Sequence, residues 1–116
     1  MSDNKAYLLE REVHGHGGNS RLYRLCPPKR FGHDLREYVI VAVHPPWNHV
    51  EAKVFVLPAT AQGTVAGNTV KDYAGTHTAE GNPFLDPAHM EGCFWLALKM
   101  AGYELQPDPP VSLVKS

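Results

Sequence analysis

The run YVIVAV, residues 38–43, decides the fold of this chain. All six residues are apolar, four of them are β-branched, and no polar residue alternates with them. Such a run is typical of a strand covered on both faces, or of one covered on one face and shielded on the other by a partner chain. We therefore expect residues 38–43 to form a central strand of a sheet.

Three further segments are predicted to be strands. Residues 6–13 (AYLLEREV) and 21–26 (RLYRLC) have the mixed alternation of half-buried strands, and the glycine-rich stretch between them supplies a turn, so they form a first hairpin. Residues 51–57 (EAKVFVL) also alternate and form a second hairpin with the central strand. Because proline offers no N–H to a ladder, we expect pairing to end at Pro27 and at Pro58.

Residues 86–102 carry the local signals of a helix. Asp86 is placed to cap its N-terminus, Pro87 takes the first helical position, and Gly102 is placed to end it in the left-handed conformation. The apolar residues cover an arc of about 200°, which we expect to lie on the sheet while Trp95 stays outside it. These apolar residues are Met90, Cys93, Phe94, Leu96, Ala97, Leu98, Met100 and Ala101.

Together the elements predict an α+β fold, a four-stranded, mainly antiparallel β-meander with one C-terminal α-helix packed on one face (β-β-β-β-α). The 116 residues, 43% hydrophobic and 20% charged, suit a single domain over residues 1–116. Two hairpins occupy residues 6–57, a long loop rich in glycine and threonine 58–85, the helix 86–102, and a proline-rich tail 103–116. A loop of this length in a compact domain is usually functional or disordered.

The balance of charge excludes one class of function. Eleven Lys and Arg against 12 Asp and Glu leave a formal net charge of -1, too little to draw nucleic acid by bulk electrostatics, so a histone-like binder is excluded. The first residues lack the pattern of a signal peptide, so we expect none, and no stretch approaches the roughly 18 apolar residues of a membrane span. Cys26 and Cys93 are too few and too far apart for a disulfide framework. We expect a soluble, cytoplasmic protein that does not engage membranes.

Seven histidines are the most unusual feature of the composition, and four of them form a candidate metal site. His14 and His16 would share one face of a strand, as neutral imidazole ligands of zinc require. In a meander, the loops after the first and third strands lie at one end of the sheet, which would bring these two toward His44 and His49. The alternative function is therefore a metal-dependent hydrolase of a phosphoester. Scattered surface histidines explain the same excess, and the absence of a cofactor is the simpler expectation.

A basic cluster predicts a third and weaker function. Lys29, Arg30 and Arg36 surround Phe31, and basic side chains around an exposed aromatic ring are suited to holding single-stranded nucleic acid. Acidic residues are interleaved with the cluster and would neutralise it, so a solvated, salt-bridged surface is the competing interpretation. Nucleic acid is therefore not the expected partner.

Four apolar residues are candidates for a protein interface. Trp47 follows two prolines in a loop and Trp95 stands on the polar face of the helix, and exposed tryptophans often anchor interfaces. Phe55 and Leu57 point away from the valines of their strand and would leave one sheet face apolar and exposed. The main hypothesis is a small, non-catalytic binding protein that acts through the sheet face, the tryptophans or the long loop. Its expected partner is a protein, and a second copy in a homodimer fits this hypothesis.

Overall fold

The structure, a computed structural model, describes residues 4–11, 19–31, 34–46, 48, 50–66 and 75–107. Within these ranges the chain forms six strands, one α-helix and a short 3-10 turn just before the helix. These elements are β1 (Lys5–Glu10), β2 (Asn19–Phe31), β3 (Asp34–His44), β4 (Lys53–Ala59), β5 (Gly75–Thr78), the 3-10 turn (Pro83–Leu85), α1 (Pro87–Met100) and β6 (Glu104–Leu105).

The strands form one mixed sheet in the order β5-β4-β3-β2-β1-β6. Neighbours from β1 to β5 are antiparallel, whereas β6 pairs in parallel with β1 through only two residues. The fold is therefore α+β with a largely antiparallel sheet and one helix, and β1 to β4 form the predicted meander. The prediction of only four strands is wrong, because β5 from the long loop and β6 from the tail extend the sheet at its two edges.

The second strand runs through the two prolines that were expected to end it. The register between β2 and β3 shifts between Arg24 and Lys29, and pairing resumes with Lys29 opposite Arg36. The Cys26–Pro27 peptide bond, which is cis, lies inside this irregularity. A bulged stretch needs no ladder donor from its prolines, so the strand continues to Phe31.

Pro58 likewise lies inside β4 and not after it. It sits opposite Val39 of β3, and its carbonyl accepts a hydrogen bond from the Ala66 N–H at 2.7 Å. In an antiparallel strand, the N–H and C=O of one residue point to the same side. The ring nitrogen of Pro58 therefore faces away from β3. On that side the β4–β5 ladder has already ended at Val56, so it needs no donor from Pro58.

One face of the sheet packs against α1 and forms the larger core. Val39, Val41 and Val43 of β3 lie on this face with Tyr23 of β2, and all four are fully buried. The helix buries five of its side chains against them, and these are Met90, Cys93, Phe94, Ala97 and Leu98. The central run is therefore covered on this face by the chain's own helix.

The other face carries a smaller core around Ile40, which is fully buried between Leu22 of β2 and Leu57 of β4. Val65, from the segment that follows β4, packs against this cluster. The expectation of an exposed sheet face at Leu57 is therefore wrong, since only 7% of this residue is accessible. The central run is covered on both faces, as its sequence predicts.

Local signals set both ends of α1. The Asp86 side chain accepts from the Ala88 N–H at 3.0 Å, and Pro87 occupies the first turn. At the other end, Gly102 adopts a φ of 96°, and the Tyr103 N–H donates to the Leu98 carbonyl at 2.9 Å. This is the hydrogen bond of a Schellman motif, which reverses the chain sharply after the helix. Across the described ranges, no helix is both long and apolar enough to cross a membrane.

The buried arc of the helix is narrower than predicted. Leu96 and Met100 were expected on the sheet but are 40% and 63% exposed. Only the side of the helix that carries Phe94 and Ala97 packs against the sheet, because a single helix on a sheet contacts it along one stripe. Trp95 is 49% exposed, outside the buried arc as predicted.

Candidate functional site

Most of the predicted histidine site lies outside the residues that the structure describes. His14, His16 and His49 lie outside those ranges, and only His44, at the end of β3, is described. Its ring meets Phe55 edge to face, with 5.0 Å between the ring centroids. Among the residues that the structure describes, no three His, Cys, Asp or Glu side chains are grouped to hold a metal ion. A metal site at this edge stays a prediction.

The basic cluster does not have the arrangement that a nucleic-acid site needs. Phe31 is only 6% exposed and belongs to the core under α1, so its ring is not available for base stacking. Lys29 donates from Nζ to the Ala101 carbonyl at 3.1 Å, which ties β2 to the end of the helix. Arg30 and Arg36 lie on the same β2–β3 hairpin. The expectation that Phe31 is exposed is therefore wrong, because its ring belongs to the core.

Of the predicted interface residues, Trp95 has the largest exposed surface in the described part of the chain. Leu57 is buried, Phe55 is half-buried against His44, and Trp47 lies outside the described residues. Trp95 projects from the last turns of α1, where Lys99 lies one turn further on. The Lys99 ammonium stands 4.7 Å from the centroid of the indole ring, a cation–π contact that holds both side chains over the helix end.

A cavity of about 360 Å³ lies beside this tryptophan. Trp95 and Lys99 line it from the helix, and Gly102, Tyr103 and Glu104 line it from the chain that follows. The Schellman motif creates this arrangement, because the turn at Gly102 leads the chain directly into β6. The helix end and the short edge strand thus form two walls of one hollow, with both signs of charge in its lining.

Hydrogen bonds to the sheet fix the wall formed by the chain after the helix. The Tyr103 hydroxyl donates to the Pro27 carbonyl at 2.5 Å, and only 5% of this residue is exposed. Burial raises the pKa of Tyr103, so the phenol stays protonated as a donor. Glu104 accepts from Lys5 Nζ at 2.8 Å, and this bond lowers the pKa of its carboxyl. The wall is therefore already ordered before anything binds.

A partly buried polar cluster fixes the helix itself, one turn before Trp95. The Arg21 guanidinium donates to the Glu91 carboxylate and lies 4.1 Å from the centroid of the Phe94 ring. The side chain of Arg21 is only 10% exposed, whereas that of Glu91 is 55% exposed. The bond from Arg21 holds the pKa of Glu91 below its usual value. This pair attaches α1 to β2 and is a structural contact.

Tyr23 lies beside this pair with its side chain fully buried. Burial raises its pKa to about 12, although the neighbouring Arg21 charge opposes the shift. The Arg21 guanidinium lies near enough to the Tyr23 hydroxyl to act on its pKa, but among the described residues the hydroxyl makes no hydrogen bond of normal geometry. This cluster was not predicted from the sequence. Its signal was present, because Arg21 alternates with Tyr23 and Leu25 and so occupies an inward position of the strand.

A second, wider hollow of about 740 Å³ lies between the loop before β4 and the turn after β5. Its lining includes the exposed carboxylates Glu51 and Glu80 and the amides of Asn48 and Asn82. The Asn82 side chain is already engaged, since it accepts from the Phe84 N–H at 2.9 Å. Two carboxylates at the rim of an open hollow do not supply the six or more oxygen ligands that calcium takes. The cavity beside Trp95 is the better-formed site.

No protein family, curated protein or solved structure matches this chain.

Proposed function

We propose that this chain is a non-catalytic binding protein that holds an apolar side chain of a protein partner in the cavity beside Trp95. The observation that carries the proposal is the half-exposed indole over a cavity whose far wall is fixed by Tyr103 and Glu104. Interface hot spots are enriched in Trp, Tyr and Arg, and they cluster in well-packed pockets. A site ordered in advance also loses less conformational entropy on binding.

The lining of the cavity indicates what the partner presents. A volume of about 360 Å³ is at the lower end of the range for small-molecule pockets, and it accommodates one aromatic or branched side chain with part of its backbone. The Lys99 ammonium is exposed at its rim, so a carboxylate next to the anchor gains a charge-assisted contact. Glu104 is already paired with Lys5 and competes little for a basic group. The proposed ligand is therefore an apolar residue flanked by Asp or Glu.

The proposal is tested with peptides displayed on phage. Random peptides are selected on the immobilised protein, and the strongest are titrated by isothermal calorimetry against the wild type, Trp95→Ala and Lys99→Glu. We expect selected peptides to share an apolar anchor flanked by an acid, with binding reduced at least about tenfold by Trp95→Ala. Lys99→Glu should weaken the same peptides, because it places like charges together.

Leu35→Ala is the matched control, because Leu35 is 60% exposed on the β2–β3 hairpin and does not line the cavity. It should leave binding unchanged. Circular dichroism and thermal melting establish that each variant is folded. Selected peptides that bind Trp95→Ala as tightly as the wild type would contradict the proposal, as would a selection without any enriched sequence.

A further inference from the structure

The solvent side of α1 carries a row of small and apolar residues. Ala88, Gly92, Leu96 and Met100 are spaced four residues apart, so they follow one another along the helix surface. All four are exposed, with 40% of Leu96 and 63% of Met100 accessible. An amphipathic helix on a sheet normally carries polar residues on this side. This row is therefore an apolar surface without a function in the fold.

Gly92 lies in the middle of the row and of the helix. Glycine is the least favourable helix residue after proline, and close packing against a neighbour is one reason for a helix to carry it. The chain's own packing does not supply one, since a Cβ at Gly92 would meet no atom within 4 Å. Glycine also permits another backbone to approach closely. The missing side chain thus leaves room for something outside the chain.

We propose that a second copy of this chain packs its α1 antiparallel against the row, with the two Gly92 residues at the crossing point. This pairing goes beyond the proposed function, because the row lies outside the cavity beside Trp95 and Lys99 alone takes part in both contacts. The N-terminal half of the row carries small side chains and the C-terminal half carries large ones. An antiparallel second copy therefore sets Leu96 of one copy against Ala88 of the other, and the shape of the row complements itself.

Charge also favours the antiparallel second copy. The N-terminal end of α1 carries the Asp86 carboxylate and the C-terminal end carries the Lys99 ammonium, and both side chains are exposed. Antiparallel helices bring these opposite charges toward each other at both ends of the contact, whereas parallel helices bring like charges together. The charges and the side-chain sizes therefore favour the same antiparallel orientation.

The available area is compatible with a weak dimer. Exposed apolar residues of the row and of the 3-10 turn before it offer at most roughly 500 Å² per copy, so even complete burial in a pair gives about 1,000 Å², below the range of standard stable interfaces. We therefore expect a reversible dimer with a dissociation constant in the micromolar range. The residues counted are Phe84, Leu85, Ala88, Gly92, Leu96 and Met100.

Sedimentation equilibrium of the full chain from low micromolar to near-millimolar concentration tests the pairing. The key variant is Gly92→Gln, whose side chain blocks the crossing and whose Cβ meets no atom of its own chain within 4 Å. We expect the dissociation constant to rise at least about tenfold. In dilute solution the same variant should melt about 4 °C higher, because glutamine is the better helix former. Leu35→Gln, an exposed apolar position outside the row, is the control and should dimerise like the wild type.

Disulfide trapping tests the orientation. Ala88→Cys and Leu96→Cys chains are mixed under oxidising conditions in a Cys26→Ser background, while Cys93 is buried and its pKa is raised by that burial, which slows its reaction. An antiparallel pair links residue 88 to residue 96 of the other copy. Predominant links between two copies of residue 88 would overturn the orientation.

The two proposals fail in different ways. A wild type that stays monomeric at every concentration, or a Gly92→Gln variant that dimerises like the wild type, overturns the pairing and leaves peptide binding at Trp95 intact. Conversely, a Trp95→Ala variant that keeps full peptide affinity overturns the cavity proposal while the dimer persists.

Discussion

At the scale of single residues, the contact between Arg21 and Glu91 connects the helix to the sheet through a nearly buried charge. The guanidinium is covered on one side by the Phe94 ring and neutralised by the carboxylate. Removing one partner of such a pair leaves the other charge without compensation, and this costs more than removing both. The contact therefore specifies where α1 sits on β2.

We expect Glu91→Gln to destabilise the fold by about 1–2 kcal/mol, less than for a fully buried pair because water reaches half of the Glu91 side chain. In the double variant Arg21→Met with Glu91→Gln, methionine can pack on Phe94, and stability should return to within about 1 kcal/mol of the wild type. Urea unfolding of the two single variants and the double variant measures this. A double variant whose losses simply add would contradict the coupling.

The same pair predicts a dependence on pH. Because Arg21 holds the Glu91 pKa below its usual value, the pair stabilises the fold fully above the pKa of an unfolded glutamate, about 4.3. This contribution is lost as the pH falls through the lower pKa of the folded protein. The melting temperature of the wild type should therefore drop more steeply in acid than that of Glu91→Gln, as followed by circular dichroism from neutral pH down to about pH 3. Parallel curves would show that the carboxylate contributes nothing.

The two buried tyrosines form a second, matched comparison. The Tyr23 hydroxyl makes no hydrogen bond of normal geometry among the described residues, so Tyr23→Phe should change stability by less than about 1 kcal/mol. The Tyr103 hydroxyl donates to the Pro27 carbonyl, so Tyr103→Phe should lose about 1 kcal/mol. Urea unfolding separates the two variants, and equal losses would contradict the assignment.

Alkaline pH distinguishes Tyr23 further. Its pKa is raised from 10.0 to about 12, so its contribution to stability is complete below pH 10 and is lost as the pH rises toward 12. Tyr23→Phe should therefore lose less stability than the wild type across this range, measured by thermal melting.

At the scale of elements, the Asp86 cap is the contact that begins α1. Replacing Asp86 by Ala removes the acceptor of the Ala88 N–H and should cost about 1 kcal/mol, whereas Asp86→Asn keeps an acceptor and should retain most of the stability. Thermal melting by circular dichroism compares the two. If Asn and Ala lowered the melting temperature equally, the charge of Asp86 and not its capping bond would be responsible.

The helix could be predicted because its signals are local. Asp86, Pro87 and Gly102 act within one turn of their own positions, and each has the predicted role in the structure. The width of its buried arc could not be predicted, since a helix with Leu96 and Met100 beside its core residues does not show how much of it the sheet will cover.

The strands show where local rules fail. Pro58 and the pair at Pro27 were expected to end strands, but whether proline ends pairing depends on which side its nitrogen faces, and that is set by the neighbouring strand. Strand β5 has no alternation of apolar residues, and β6 is only two residues long. Both exist through tertiary contacts, which a single sequence does not display.

For the same reason, one part of the candidate site could be predicted from the sequence and the other part could not. The helical period placed Trp95 on the outer side of the helix, as observed. The cavity beside it depends on Tyr103 and Glu104, which reach it only because the chain turns at Gly102 and pairs with β1. In the same way, Phe31 looked exposed in a basic segment, and only the extension of β2 past its prolines places it in the core.

At the scale of the whole molecule, the sheet has a stable centre and two weak edges. Strand β3 lies between two long partners and its Val39, Val41 and Val43 are fully buried, whereas β5 has four residues and β6 two. We expect the slowest amide hydrogen exchange in β3 and the fastest among the strands in β6, followed by NMR or mass spectrometry. Equal protection in β6 and β3 would mean that the edge opens only with global unfolding.

The pairing of β6 with β1 has a topological consequence for protein engineering. The Glu104 N–H donates to the Asn4 carbonyl at 3.0 Å, so the first and last described elements are neighbours in space. Because these strands run in parallel with Lys5 opposite Glu104, Gln106 lies only about 10 Å further along than Asn4, the rise of three residues. The order in which the elements are joined is therefore exchangeable. A circular permutant closed across this edge and opened at the exposed Glu80–Gly81 turn would preserve every strand pair and the cavity beside Trp95.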